Sequence, residues 1–376
     1  MGKSRIIDNI EFTEDNSLQN ELPPDHIEIR VQAFGINFKD VLIAGGHTKK
    51  KIDMAGEFAG TVVEVGAGYQ GDIEKGDRIC GFGATPYASA VRVQAETVAK
   101  LPTSISITAG ASIPVVFATA YHALVDVARL EKGQKVLIHS AAGGVGQAAT
   151  SIAQWIGAEV FATVSNTSKK SFLIEELAIP ETHIFSSRLA TFKDGISRLT
   201  NGEGVDVVLN SLSGQTLQDS LSCVARFGTF IEIGKTDIHL GSRLSMAPFD
   251  SSITVASVDL SMIHQYKPSK SGQLIRKVVS LISSGQLRIP TLTVRPLEEL
   301  GTAFRSLQHR THMGKIVLDA GDTAMVEAKA SGDGVIVSSN ATYIVAGGRS
   351  GMGFEIGKYL ASRGAEYIVL LSLIHI

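Results

Sequence analysis

The stretch KVLIHSAAGGVG, residues 135–146, decides the architecture. KVLI is a short apolar run of strand length, and QAATSIAQW after Gly146 has helical spacing up to Trp155. Between them, Gly143 and Gly146 match the last two glycines of a G-x-G-x-x-G fingerprint, and Ala141 stands in place of the first. Small residues suit this turn because the backbone must bend sharply and approach a pyrophosphate. The helix N-terminus then presents unpaired N–H groups and the positive end of its dipole. Ala142, Gly143, Gly144, Val145 and Gly146 are therefore the expected phosphate cradle. A tight strand-to-helix turn without a ligand is the alternative.

The alternation continues outward. EVFATV (159–164) is a second strand, and 205–209 and 229–233 are further ones, so a parallel sheet in an α/β fold is predicted. After the second strand the chain reads VSNTSKK (164–170), with two lysines and no acid. A carboxylate there would hold ribose hydroxyls and repel a 2′-phosphate; Ser165 and Lys169 can bind one, which predicts NADPH over NADH. An ordinary solvated helix start is the alternative for Lys169 and Lys170.

Upstream, 28–33, 57–65, 78–81 and 87–93 read as strands separated by turn residues, a compact, mostly β unit over 1–115. The parallel-sheet domain is expected over 116–245. Residues 246–320 are expected to return and complete the N-terminal unit, with a strand at 253–258, helices at 274–283 and 297–307 and a strand at 315–318. Residues 321–340 read as a linker. A new strand starts at 341, followed by a glycine-rich turn, a helix and a strand at 367–371. One such βαβ unit over 341–376 cannot bury its own faces and reads as an incomplete domain. The last residues, LSLIHI (371–376), are expected to be non-native.

Composition narrows the function. The 376 residues suit two or three domains, and 44% hydrophobic with 19% charged residues excludes a disordered chain. A net charge of −2 offers no case for nucleic acid or an anionic membrane. The start lacks a signal-peptide core. The most apolar stretch, 113–125, is interrupted by Thr119, Tyr121 and His122, so a cytoplasmic protein is expected. Cys80 and Cys223 cannot form a disulfide framework or a four-cysteine zinc site. There is no H-E-x-x-H, C-x-x-C or G-x-S-x-G, and no metal is expected. Lys49-Lys50-Lys51 reads as a solvated loop, or alternatively a contact for an acidic partner.

Residues 1 to about 318 resemble the enoyl reductase domain of fungal highly reducing polyketide synthases, in the zinc-independent branch of the medium-chain dehydrogenase/reductases. The matching stretches are GINFKDVLIAGG (35–46), GDRICGFG (76–83), the run from 111 to 149, GVDVVLNSLSG (204–214), FGTFIEIGKTDI (227–238), MAPFDSSITVASVDL (246–260) and MGKIVL (313–318). The resemblance implies a GroES-like substrate domain and a Rossmann cofactor domain. Where the zinc-dependent branch has a ligating Cys and a His before Glu, this chain reads GINFKD (35–40) and Gly56-Glu57. TYIVAGGRSGMG (342–353) resembles the glycine motif opening a ketoreductase domain, through Gly347, Gly351 and Gly353.

The resemblance implies NADPH-dependent reduction of an enoyl thioester on the phosphopantetheine arm of an acyl carrier protein, inside a homodimeric megasynthase with other domains as partners. Lys235, in GKTD, is the implied proton donor or oxyanion stabiliser, and Asp259, in SVDL, its partner. A surface lysine or pure cofactor contact is the alternative for Lys235, and a structural salt bridge for Asp259. Asn37 and Thr119 are implied near the nicotinamide, with Asn210, Leu212, Gly234 and Lys315 as further cofactor contacts. Asn37 and Asp40 are alternatively a loop hydrogen-bond pair. Some bacterial relatives place a tyrosine near the position of Thr48, and this departure leaves the proton donor open. Two other readings stay open: a stand-alone NADPH:quinone oxidoreductase, and a non-catalytic NADPH-binding scaffold.

Overall fold

The computed structural model describes residues 10, 12–14, 17–45, 55–187, 191–322, 325–329, 337–348 and 351–372. Thr48, Lys49–Lys51 and the last four residues, 373–376, lie outside the described residues. The chain forms two compact units, one holding Ser17–Val326 and the other Glu11–Asn16 with Glu327–Ile376.

In the first unit, six strands form one parallel sheet in the order Thr254–Ser257, Val224–Glu232, Val205–Asn210, Lys135–Ile138, Glu159–Val164, Ile184–Ser186. This is the doubly wound Rossmann order, with its switch point between Lys135–Ile138 and Val205–Asn210. The strand Thr254–Ser257 corrects the expected boundary at 245. It pairs in parallel with Val224–Glu232, so residues beyond 246 still build the cofactor-type sheet. The helix Pro268–Ser283 follows and buries Leu274, Ile275, Val278 and Val279. The return to the other sheet comes only at Leu292–Pro296.

The glycine turn forms as its sequence requires. Helix Gly144–Ile156 starts after Gly143, buries Ala148, Ala149, Ile152 and Ala153, and ends at Gly157 with a left-handed φ of 88°. A Cβ on Gly146 would stand 2.5 Å from Ala141 Cα, so glycine is what lets helix and strand meet.

The second sheet of this unit has seven strands and is mostly antiparallel. Its order is Leu292–Pro296, Lys315–Asp319, His26–Gly35, Ala55–Val65, Arg78–Thr85, Val98–Lys100, and Ala90–Gln94 pairs with His26–Gly35. Alternation buries Ile27, Ile29 and Val31 while intervening residues face outward. A single apolar cluster runs from Ala33 and Cys80 through Phe117 to Ile138, Ile231 and Val317, joining both sheets. A second cluster, with Leu137, Phe161, Phe192 and Phe230, fills the other face of the parallel sheet.

The helix Pro114–Tyr121 runs into π-helical turns over His122–Val127. There His122 and Lys270 both meet Asp126, at 2.8 and 2.6 Å, which fastens this segment to the helix Pro268–Ser283.

In the second unit, Thr342–Ala346 pairs in parallel with Tyr367–Leu371 across the helix Gly351–Ser362, a βαβ unit. Ile344, Met352, Val369 and Leu371 are exposed. Two expectations are corrected here. The supposed linker contains a short strand, Ala328–Lys329, and that strand pairs with Phe12–Thr13, which was expected in the N-terminal β unit. Hydrogen bonds along both short backbones account for the pairing. Among the described residues no helix is long and apolar enough to cross a membrane.

Candidate active site

The strands of a parallel sheet end together, so residues following them converge at one edge of the fold. Here that edge gathers the glycine turn, Ser165 after Glu159–Val164, Asn210 and Leu212 after Val205–Asn210, and Gly234 and Lys235 after Val224–Glu232. The first four N–H groups of an α-helix have no partner within it. The first internal bond at the glycine turn is donated by Gln147 N to Gly143 O, 2.9 Å. Gly144 is drawn toward Gly314 by the parallel bridge between Gly143 and Gly314, and the Val145 and Gly146 N–H groups are the donors at the helix start that an anion could meet.

Lys235 immediately precedes the helix Thr236–Leu240, and its Nζ lies 2.9 Å from Asp259 Oδ2. Asp259 caps the helix Leu260–Tyr266, its Oδ1 accepting from Ser261 N at 2.9 Å. The side chains of Lys235 and Asp259 are 31% and 27% exposed, so the pair borders solvent. Burial pushes the Asp259 carboxyl up, but the Lys235 hydrogen bond and charge, with the Ser261 and Met262 N–H groups, outweigh it and hold the carboxyl below its usual value. The same helix is tied to the antiparallel-sheet side by Lys39, whose Nζ donates to Ser261 Oγ at 3.0 Å.

A second polar group sits behind the glycine turn. Lys315 Nζ lies 2.6 Å from Glu57 Oε2, with exposures of 3% and 0%. It also donates to Asn37 Oδ1 at 2.5 Å, and Asn37 Nδ2 donates to Glu57 Oε2 at 3.1 Å. Glu57 Oε1 accepts from Val115 N at 2.7 Å, in the first turn of the helix Pro114–Tyr121, where a carboxylate meets the positive end of the dipole. Thr119, on that helix, is buried. Gly314 N donates to Ala142 O at 2.8 Å, which fastens the residue before Lys315 to the glycine turn. Asp40 Oδ2 accepts from Asn37 N at 2.8 Å and from Tyr87 Oη at 3.4 Å. Burial raises the Asp40 carboxyl to about 7, against the opposing Asn37 hydrogen bond and Lys315 charge.

Several expectations change. Asn37 and Lys315 were expected on the cofactor, yet each is committed to the other and to Glu57. Their polar atoms satisfy one another, as burial demands. Asn210 was likewise expected to approach the ribose or nicotinamide of the cofactor. It is fully buried, donating to Glu232 Oε2 at 2.5 Å and to Leu212 O at 2.9 Å. Lys169 Nζ donates to Arg310 O at 2.9 Å, and Asn166 Oδ1 caps the same helix by accepting from Lys169 N. Ser165 is part-exposed at the strand end.

Two residues were not anticipated. Glu232 is 8% exposed and ends its strand beside the Gly234-Lys235 turn. Its signal was an acid inside the apolar run FIEIG, a break in pattern that a purely structural strand would not need. His264 stands edge-on to Phe82, with ring centroids 5.1 Å apart. Its Nδ1 is buried without a partner, and burial lowers its pKa. Nothing in the sequence set it apart.

Among the described residues no group of three or more His, Cys, Asp or Glu side chains could hold a metal ion. In the segment Gly35–Asp40, where the zinc-dependent branch has a ligating Cys, Asn37 already uses its amide on Glu57 and Lys315, and Gly56, before Glu57, carries no side chain. These residues do not fit a catalytic zinc.

A Rossmann sheet joined to a GroES-like sheet, with a glycine turn and a lysine–aspartate pair at the strand ends, defines the class: a medium-chain dehydrogenase/reductase type of oxidoreductase. Residues 23–103 match the family model of the alcohol dehydrogenase GroES-like domain, and residues 181–318 that of zinc-binding dehydrogenases. The solved structure of CurK enoyl reductase is 34% identical, with a TM-score of 0.75, over 84% of this chain and 96% of that one. The CurF ER cyclopropanase from the curacin A pathway is 30% identical, with a TM-score of 0.76 and the same coverage. The chain belongs to the enoyl reductase family.

Among curated proteins, a highly reducing polyketide synthase of Aspergillus luteorubrus is 44% identical over 98% of this chain. The lovastatin diketide synthase of Monascus pilosus is 38% identical, also over 98%. The chain spans 12% and 15% of the length of these two relatives. The quinone oxidoreductase of Escherichia coli, solved with NADPH, shares the fold at 24% identity and a TM-score of 0.70, over 82% of this chain and 94% of that one.

Proposed function

We propose that this chain reduces the α,β-double bond of an enoyl thioester, carried on the phosphopantetheine arm of an acyl carrier protein, with NADPH as reductant. The observation that carries the reading is the Lys235–Asp259 pair, at 2.9 Å, on the same edge of the parallel sheet as the glycine turn. NADPH, when bound, supplies hydride to the β-carbon. The Val145 and Gly146 N–H groups would receive its pyrophosphate, and Ser165, with Lys169 turned from Arg310 O, would hold its 2′-phosphate. Hydride addition would leave negative charge on the thioester oxygen and would call for a proton at the α-carbon.

Lys235, an ammonium held by an ionised Asp259, is placed to stabilise that charge and to donate the proton from Nζ. Asp259 then holds the neutral amine in position until solvent, which reaches the part-exposed pair, restores the proton. The other domains of a megasynthase and a second copy of the chain are the partners this reading requires. The second unit is read as the opening of a ketoreductase domain.

The test mixes the full chain with crotonyl pantetheine thioester and follows NADPH consumption, with NADH and a simple quinone as parallel controls. Turnover of the thioester with NADPH, and about tenfold less or lower with NADH, is expected. Turnover of the quinone alone would move the chain to the quinone reductase reading. Tight NADPH binding with no turnover of the thioester, free or on a carrier protein, would favour a scaffold.

A further inference from the structure

Glu232 is an acid in the last position of a buried strand. A carboxylate there is costly unless donors meet it. Two do. Gly234 N, on the loop that follows, donates to Oε1 at 2.5 Å, and Asn210 Nδ2, at the end of the neighbouring strand, donates to Oε2 at 2.5 Å. The Asn210 amide holds its own loop in turn, donating to Leu212 O at 2.9 Å and accepting from Leu212 N at 3.3 Å. Gly214 N donates to Asp237 Oδ2 at 2.9 Å, a second tie between the same two loops. A Cβ on Gly234 would lie 2.6 Å from Glu232 Oε1, so glycine is what lets the carboxylate close on the turn. Lys235 is the next residue.

We propose that Glu232, clamped between Asn210 and Gly234, is a positioning residue that sets the Lys235 turn and the Leu212 loop together at the crevice. The inference rests on the enoyl reductase reading and adds to it a carboxylate that never touches the substrate. Both oxygens act as acceptors, so the clamp needs the ionised form. Burial raises this carboxyl to about 7, with Asp237 adding to the rise and the Asn210 and Gly234 hydrogen bonds and the Lys235 charge opposing it. The flanking strands contribute Asn210 and Ser257 at their ends, neither of which titrates. As pH falls through about 7 the carboxyl gains a proton, one oxygen becomes a donor facing an N–H, and the clamp loosens.

The experiment compares the full chain with Glu232→Gln and with the exchange Asn210→Asp/Glu232→Gln. Two readouts are taken from roughly pH 6 to 8.5: kcat on crotonyl pantetheine thioester, and NADPH affinity from nicotinamide fluorescence. Glutamine turns an NH2 toward either Gly234 N–H or the Asn210 NH2, donor against donor. A loss of about 10- to 100-fold in kcat is therefore expected, with the thioester KM little changed. Wild-type kcat is expected to fall below about pH 7, and the single variant to lose that limb. The exchange restores a donor–acceptor pair with residue 232 but sets a carboxylate oxygen toward Leu212 O, so part of kcat is expected to return.

A folded Glu232→Gln protein with wild-type kcat and pH profile overturns the proposal. So does a folded exchange variant no better than the single one. If the single variant does not fold, Asn210→Asp alone serves: a second carboxylate should move the acid limb to higher pH, and an unmoved limb overturns the idea. If wild type turns over no thioester, the enoyl reductase reading fails on its own. Fluorescence still reads the clamp, supported by weakened NADPH binding that the exchange restores and overturned by binding that is unchanged in Glu232→Gln.

Discussion

Lys235 and Asp259 separate chemistry from stability. Both side chains are about a third exposed, and ion pairs at such sites contribute about 0–1 kcal/mol. Lys235→Ala should therefore shift the unfolding free energy by less than about 1 kcal/mol. Loss of a proton donor and charge stabiliser should lower kcat by about 10²- to 10⁴-fold. Asp259→Asn keeps an acceptor for Ser261 N but removes the countercharge, and an intermediate loss is expected. Urea titration and single-turnover kinetics on the same samples check both. A Lys235→Ala protein that reduces the thioester at the wild-type rate would remove the residue from the mechanism. The candidacy of this lysine was readable from GKTD after a strand; its pairing with Asp259, 24 positions later, came from the family resemblance and not from local pattern. Local pattern says where a strand ends; it does not say which distant loop arrives beside it.

At the scale of elements, the strand Lys315–Asp319 does more than close a sheet. Lys315 joins three elements through Glu57 and Asn37: its own strand, Ala55–Val65, and the helix Pro114–Tyr121, whose Val115 N meets Glu57. Removing one partner of a buried pair leaves the other charge uncompensated, at a cost of about 3–5 kcal/mol. Lys315→Met should destabilise by that amount, and Lys315→Met/Glu57→Gln should recover much of it. Equal losses in the single and double variants in a urea double-mutant cycle would show that the pair carries little of the joint. GKIVL reads locally as a strand with a basic start. That its lysine points into the fold was invisible, because the acid it meets lies 258 residues away in sequence.

For the whole molecule, the clearest consequence is in the pH dependence of stability. Asp40 is buried, and its carboxyl is raised to about 7 from 3.8. Between those values the folded state holds a proton that the unfolded state releases, so this group stabilises the fold at low pH and loses that contribution as pH rises toward 7. Asp40→Asn keeps an oxygen for Asn37 N and removes the titration. Relative to wild type, the variant should gain on the order of 2 kcal/mol as pH rises from about 5 to about 7, and nothing further above that. A constant difference across the range, measured by denaturation at each pH, would place the Asp40 carboxyl near its ordinary value instead.

The order of strands and helices and the glycine turn were legible along the chain. Both rest on local chemistry: periodicity for burial and small residues for a tight approach. The family resemblance added the pairing of Lys235 with Asp259. Only the tertiary structure assigned Thr254–Ser257 to the parallel sheet and turned Asn37 and Lys315 toward Glu57. It also buried Asn210 and placed Glu232 between Asn210 and the Lys235 turn. Those outcomes depend on which distant groups share a low-dielectric interior. Burial forces each polar atom to find a partner there, and that choice is made by the folded chain as a whole.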